Sequence, residues 1–288
     1  MKKEKMDVYQ IITNQIVKRL EDGCVPWKQP YHIEVAKNLV TGKVYKGINE
    51  FILNGLFPSP YYLTFKQCKE LGGTIKKGEA GIPVVFWNMK DVKTKETKIV
   101  DGEEVTETKL KTMPFLRYYT VFNATQCEGI THKRLSEARE AVGYNPDIES
   151  AEKIIAGYEN KPVMKFMETI PCYVPALDEI RVPTKDKFDS IEEYYATVFH
   201  EMVHSTGHEK RLNRDMKFFK DDKESYSKEE LVAELGACYL SKTAMINVPI
   251  DNSSAYINGW INAIKGDKKL LVSAVSKSRK AVEYIINK

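Results

Sequence analysis

Two histidines and a glutamate stand in the order His200-Glu201-Met202-Val203-His204. On a helix four residues advance about 400°, so His200 and His204 leave one face a single turn apart. Two neutral imidazoles so placed can hold Zn²⁺, each at about 2.0–2.1 Å. Glu201, one residue on, points toward the open side of such an ion. There it can take a proton from an activated water and later deliver it to a leaving amine. The chemistry open to this spacing is peptide hydrolysis, with water attacking the carbonyl. It requires a helix, and Ser190 followed three residues later by Glu193 is a capping box that starts one in the right place. Val198, Phe199, Met202 and Val203 give that helix an apolar face to bury.

A catalytic site of this kind has three protein ligands and one place for water, so a third ligand is needed. A third histidine ten positions after the first is one solution, but position 210 is Lys. His208 arrives two residues earlier and stays a candidate. The other solution, gluzincin-like, is a carboxylate on a following helix. Glu230-Leu231-Val232-Ala233-Glu234 fits it, because acids four apart share a face and two carboxylates in apolar surroundings need a cation. On this reading Glu230 is the ligand and Glu234 accepts from the distal N–H of a ligating His. Two alternatives stay open, with Glu234 or His208 as the ligand itself. Ser227-x-x-Glu230 is also a capping box, which would employ Glu230 locally. Tyr173–Pro183 reads as an edge strand, a surface on which an extended peptide can pair through its main chain. His208 and Tyr226 are candidate oxyanion donors.

The elements that must position these groups belong to a chain of 288 residues, long enough for two domains. Hydrophobic residues at 42% and charged residues at 29% exclude a disordered or fibrous chain. The longest apolar runs, such as Ile82–Trp87, are too short to span a bilayer. Met1-Lys2-Lys3-Glu4-Lys5 leads into an amphipathic segment rather than a continuous apolar one, which points to a cytoplasmic protein. Five cysteines at least 44 residues apart, with no CxxC pair, suggest neither a disulfide framework nor a cysteine metal site. Gly42, Lys43, Lys46 and Gly47 resemble a phosphate turn, but no GxxxxGK[ST] pattern is present and no nucleotide cofactor is expected.

Helical periodicity covers residues 7–22 and stops at Asp22-Gly23, and a second helix covers Thr64–Leu71. Pro83–Trp87 and Met113–Phe122 read as antiparallel partners. Residues 90–112 between them carry six lysines and six acids with few apolar side chains, and read as a long mobile loop. Composition shifts near 130–147, so we place one domain at 1–130, a linker at 131–147 and a second domain at 148–288. The second contains a helix over 148–158, strands over 163–167 and 173–182, helices from Ser190 and near Ser227, and helical sequence over 253–287. The expected class is α+β: an N-terminal α+β domain, then a mostly helical domain with a small sheet.

Charge divides unevenly. Residues 1–130 carry 20 Lys and Arg against 15 Asp and Glu, and residues 24–90 alone carry 9 against 4. The rest of the chain carries 24 against 25. A polyanion partner for the first part follows. Trp27, Tyr31, Tyr45, Trp87, Tyr118 and Tyr119 interleave with Lys28, Lys43, Lys46, Lys66, Lys76, Lys77 and Arg117. Single-strand binding needs both ingredients, a cationic groove and aromatic faces, although Trp87 at the end of an apolar strand also suits a core.

In order along the chain, the sequence contains Pro26-Trp27, Asn38, Thr41-Gly42-x-x-Tyr45-x-Gly47-Ile48-Asn49, Thr64-Phe65-Lys66-Gln67 and Leu71-Gly72-Gly73-x-x-Lys76-Lys77-Gly78-Glu79. Pro83-Val84-Val85-Phe86-Trp87 and Tyr119-x-Val121-Phe122-Asn123-x-x-Gln126-x-Glu128-Gly129 follow. Later come Tyr194-Tyr195-Ala196-Thr197, His200-Glu201-x-x-His204-x-Thr206-Gly207-His208, Arg211-Leu212 and Glu229-Glu230-Leu231-x-Ala233-Glu234. This series resembles the ArdC-type antirestriction proteins carried by plasmids and other mobile elements. One departure is Tyr31, where that pattern has Trp, which keeps an aromatic face.

The resemblance implies an N-terminal domain that binds single-stranded DNA and a C-terminal zincin-like metallopeptidase domain. It also implies protection of entering DNA, as in conjugation, from host restriction. The expected cofactor is Zn²⁺. The expected partners are single-stranded DNA and an unidentified protein substrate, with no membrane. Two alternatives stand beside this: a non-catalytic DNA-binding protein with a structural zinc site, and a regulatory protease that cleaves a repressor.

Overall fold

Asp7 starts the first helix by accepting a hydrogen bond from the Tyr9 amide at 3.0 Å. The helix, α1 (Val8–Glu21), ends with Lys18 and Arg19 in its last turn, where cations suit the exposed carbonyls. Ile12, Ile16 and Leu20, with Val17 beside them, form its buried stripe. The computed structural model describes residues 7–22, 25–27, 35–54, 56–100, 103–136, 148–167, 170–214, 223–247 and 254–287.

After α1 come β1 (Lys37–Asn38), α2 (Ile48–Leu53), β2 (Tyr61–Thr64), α3 (Phe65–Glu70), β3 (Thr74–Ile75), β4 (Ile82–Val100), β5 (Glu103–Asn123), β6 (Cys127–Glu128) and α4 (Lys133–Ser136). Thr64 and Gln67 close a complete capping box on α3. The main sheet has the order β1-β2-β5-β4, with β1 parallel to β2 and the other pairs antiparallel; β3 and β6 form a separate pair. The outer edge of β4 is partly covered. The Asn49 amide donates to the Val85 carbonyl at 2.6 Å and accepts from the Val85 N–H at 2.8 Å, in the manner of a neighbouring strand.

The loop expected over residues 90–112 is corrected. β4 and β5 stay paired from Ile82↔Val121 out to Val100↔Glu103. At about 3.3 Å per residue this is a two-stranded arm on the order of 60 Å long. Thr94, Thr97, Thr106 and Thr108, with Val92, Ile99 and Val105, supply strand-favouring β-branched residues. Asp101-Gly102, between the last paired residues, is the dipeptide that tight hairpins prefer.

The second half contains α5 (Ile148–Gly157), β7 (Val163–Phe166), β8 (Cys172–Val174), β9 (Glu179–Val182), α6 (Ile191–Ser205), α7 (Lys223–Thr243), α8 (Ser254–Gly266) and α9 (Leu270–Ile285). Its sheet runs β7-β9-β8, with β7 parallel and β8 antiparallel to β9. The single strand expected at 173–182 is therefore two strands. A 3₁₀ turn over Pro175–Leu177 joins them, and Asp178 adopts φ 50°, a left-handed conformation that Asp tolerates. The helical stretch expected at 253–287 is broken by the turn at 267–269, where the Asp267 carboxylate accepts from the Lys269 N–H at 2.9 Å.

The fold is α+β in two parts, yet one buried apolar cluster runs through both, from Ile12 to Ile285. α1 packs on α8, and Trp27 meets Trp260 edge-on with ring centroids 5.2 Å apart. Phe51 meets Tyr239 at 5.4 Å, and Lys242 Nζ lies 3.1 Å from the Glu50 carboxylate. Each fully buried side chain of this kind contributes about 1.5–3 kcal/mol, so the two parts stabilise one another. No helix among the described residues is long and apolar enough to cross a membrane.

Candidate metal centre

Helix α6 starts where Ser190 caps it, with Ser190 Oγ accepting from the Glu193 N–H at 3.1 Å. The return arm of the box reaches one residue further back, as the Glu193 carboxylate accepts from the Asp189 N–H at 3.3 Å. Tyr194, Tyr195, Val198, Phe199, Met202 and Val203 are buried and fix the rotation of the helix. Helix α7 begins at Lys223, so Ser227 lies inside it rather than at its cap. The competing local use of Glu230 in a capping box falls away.

The two helices approach closely at Gly236. A Cβ there would sit 2.6 Å and 2.9 Å from the two γ-carbons of Val203, whose branched side chain has no room to turn aside. Gly236→Ala is expected to lower stability by about 1–3 kcal/mol through overpacking. A fall in thermal midpoint measures this, and an unchanged midpoint would show that the helices tolerate separation.

Across this contact the donor atoms converge. His200 Nε2 and His204 Nε2 are 3.1 Å apart. The Glu230 carboxylate places Oε2 at 3.4 Å from His200 Nε2 and Oε1 at 3.3 Å from His204 Nε2. Ligands at 2.0–2.1 Å around a tetrahedral ion lie about 3.3 Å from one another, so these three donors already sit at ligand spacing. Among the described residues, His200, His204 and Glu230 form the converging group able to hold a metal ion. His204 is nearly enclosed at 4% side-chain exposure, whereas His200 and Glu230 are 22% exposed and leave one side open.

Four carboxylates surround the imidazole pair. Glu234 Oε2 lies 3.6 Å from His200 Nδ1, and Glu229 Oε1 lies 3.6 Å from His204 Nδ1. Glu201 is buried next to His200 in the chain. Burial alone would push both imidazole pKa values down. Glu230 and Glu234 override it at His200, which is held well above its ordinary value; Glu229 and Glu230 outweigh it at His204, which is raised. Burial would push the Glu230 carboxyl up, but the two imidazoles hold it well below the usual carboxylate range. Glu230 therefore stays charged in a partly buried place, as a cation site requires.

The other sequence candidates fall elsewhere. His208 lies in the turn after α6, its Nδ1 accepting from the Lys210 N–H at 3.2 Å, and it does not join the converging group. Tyr226 lies on α7, but its side chain is outside the described residues. β8 is an edge of the small sheet beside α6; burial pushes the Cys172 thiol up, and the nearby Glu201 carboxylate adds to the shift. Two residues received no role at the site from the sequence. Glu229 adjoins Glu230 and carries no periodic signal of its own, and Arg214, which binds it, lies in an irregular segment fifteen residues away.

In the first half, Lys43, Tyr45, Lys66 and Tyr119 line one groove together with Asn38, Thr41 and Gln67. Gly42, at φ 72°, closes the turn that presents Lys43, and Asn38 Oδ1 accepts from the Thr41 N–H at 3.0 Å. Lys46, Lys76, Lys77 and Arg117 are exposed but do not line that groove. Lys76 Nζ is turned to the Thr125 carbonyl at 2.8 Å.

The stacking faces expected of Trp27 and Tyr45 are corrected. Trp27 is 5% exposed against Trp260, and Tyr45 is 8% exposed with its ring edge-on to Tyr62, so neither presents a face. Lys28 and Tyr31 lie outside the described residues, as does the side chain of Trp87. Phe86 was missed: it is 39% exposed and meets Tyr119, itself 37% exposed, at 5.7 Å.

Comparison with known proteins follows the same division. Residues 149–277 match the zincin-like metallopeptidase family, and residues 6–122 match the N-terminal domain of the anti-restriction factor ArdC. The chain is 34% identical to the antirestriction protein ArdC of plasmid R388 in a metal-free crystal structure, with a TM-score of 0.69 over 97% of each chain. Against the Mn(II)-bound structure of that protein the identity is 32% and the TM-score 0.71 over 98% of each chain. It is 29% identical over 299 residues to a DNA primase TraC of Escherichia coli, covering 99% of this chain. It is also 27% identical over 290 residues to protein y4eC of Sinorhizobium fredii, covering 97% of this chain and 91% of that one. The chain spans only 28% and 20% of the lengths of two TraC relatives.

Proposed function

The chain belongs to the ArdC antirestriction family, and from that premise we propose that it protects the DNA of a mobile element by binding it single-stranded and carries a zinc-dependent peptidase. The observation that carries the peptidase reading is the mutual spacing of the His200, His204 and Glu230 donors, 3.1–3.4 Å, beside the buried carboxylate of Glu201. These three side chains would hold the ion, with Glu234 orienting His200 through Nδ1. Bound there, Zn²⁺ would supply Lewis acidity at the substrate carbonyl and lower the pKa of water. Glu201 accepts the proton of the attacking water and passes it to the departing amine, so the peptide bond breaks without a charged nitrogen leaving group. β8, an edge strand of the small sheet among the described residues, carries Cys172 near Glu201 and gives an extended substrate main chain a partner.

DNA binding rests on the groove of the first half. Lys43 and Lys66 bring positive charge to its lining, partly offset by Glu70 at 3.6 Å from Lys66, and Tyr119 in the lining, with Phe86 edge-on to it, provides exposed rings. Each base stacked on such a ring is worth about 1–3 kcal/mol. In the full-length protein, Lys43→Ala with Lys66→Ala is expected to weaken single-strand binding and flatten its salt dependence, the logarithmic slope falling by about 0.7 for each phosphate that is no longer neutralised. Fluorescence anisotropy at several salt concentrations measures both. A wild-type affinity that does not change with salt would defeat the electrostatic groove.

A further inference from the structure

The geometry points to Arg214 and Glu229 as positioning residues for the metal centre, a pair that fixes the tautomer and orientation of His204 from its far side. For Nε2 of an imidazole to offer its lone pair to an ion, the proton must sit on Nδ1, and a carboxylate at Nδ1 holds it there. Glu229 Oε1 faces that nitrogen of His204 at 3.6 Å, an ion-pair contact slightly longer than a hydrogen bond. It matches what Glu234 does at His200, so each imidazole has its own acid on α7.

Glu229 is 10% exposed in its side chain, and a lone carboxylate there would be free to swing. Arg214 prevents this. Its Nη2 lies 2.6 Å from Glu229 Oε1 and its Nε lies 3.2 Å from Oε2, a two-pronged grip by a side chain 8% exposed. The same guanidinium donates to the Val203 carbonyl at 2.8 Å and to Thr206 Oγ1 at 2.6 Å. Val203 and Thr206 flank His204 on α6 and its C-cap, whereas Glu229 sits on α7 next to Glu230. Arg214 thus ties the helix that carries the histidines to the helix that carries the third donor, at the level of His204. Buried ion pairs add little to stability in general, and this one is placed to hold a geometry.

This inference rests on the reading of His200, His204 and Glu230 as ligands. The test is Zn²⁺ affinity of the full-length protein, measured by competition with a chromophoric chelator, in wild type, Glu229→Gln, Arg214→Ala and Arg214→Lys. Glu229→Gln and Arg214→Ala are expected to weaken affinity about 10- to 100-fold. Arg214→Lys, which keeps the charge and loses the fork, is expected to fall between them and wild type. A purely structural pair would lower the thermal midpoint of the ion-free protein and leave the Zn²⁺ affinity of the folded protein unchanged. Affinities equal to wild type in Glu229→Gln and Arg214→Ala overturn the inference alone, and a wild type that takes up no ion overturns it together with the ligand assignment. If Arg214→Ala does not fold, the near-isosteric Glu229→Gln decides.

Discussion

Glu201→Gln is expected to abolish peptide hydrolysis while leaving ion content and single-strand affinity at wild-type levels. The carboxylate is 7% exposed on α6, so an amide of the same shape preserves the packing around it. It cannot take a proton from water, and a positioned general base contributes about 10²- to 10⁴-fold to rate. The donors of His200, His204 and Glu230 are untouched by the change. Elemental analysis, anisotropy and turnover of a quenched peptide library separate the three properties, and a restriction-protection assay on the same variant adds the biological one. Cleavage at the wild-type rate would remove Glu201 from its assigned role. Protection that survives without cleavage would make DNA occupancy the means of protection, and loss of both would tie protection to proteolysis.

The shared core decides how such experiments must be built. Ile12, Ile16 and Leu20 of α1 belong to the same buried cluster as Trp260, Ile264 and Leu271, and Trp27 spends its ring on Trp260. A fragment ending near residue 130 would expose that whole stripe to water, at about 1.5–3 kcal/mol per side chain. The two parts match separate families, yet their stabilities are joined, and a change in one can register in the other. Variants of the full chain therefore test the groove better than excision of the first part.

What could be read from the sequence followed from local periodicity. Ser190-x-x-Glu193 announced α6, and the spacing of His200 and His204 could be converted into geometry because a helix repeats every 3.6 residues. Glu230 and Glu234 were legible for the same reason, one turn apart on a second helix. Glu229 and Arg214 were not, because their partnership crosses from an irregular segment to a helix and no spacing rule covers it. The aromatic residues failed differently. Composition marks Trp27, Tyr45 and Tyr119 as stacking material and passes over Phe86, but burial decides which rings face water, and α8 settles that for Trp27. The arm of β4 and β5 was concealed by its polarity. A ribbon with charged residues along both strands lacks the alternation of a half-buried strand, though its threonines and Asp101-Gly102 carried the signal.

His200→Ala should be the most damaging change to the centre. It removes one of three donors and, with it, the imidazole that stands between Glu230 and Glu234. Zn²⁺ affinity is expected to fall on the order of a thousandfold, because loss of an outer partner alone costs about 10- to 100-fold. Ion binding to the folded state stabilises it by about 4 kcal/mol when the free ion stands a thousandfold above Kd, so wild type should gain a clear rise in thermal midpoint on adding Zn²⁺ and the variant almost none. Single-strand binding should be retained, since His200 belongs to α6 and the groove of Lys43, Lys66 and Tyr119 is built from the first half. A variant that still takes up one ion per chain with wild-type affinity would mean that another set of donors holds it, and Glu201 would lose the ion beside which its proton transfer makes sense. A variant that loses the ion and the DNA together would show instead that the shared core passes the disturbance from α6 to the groove.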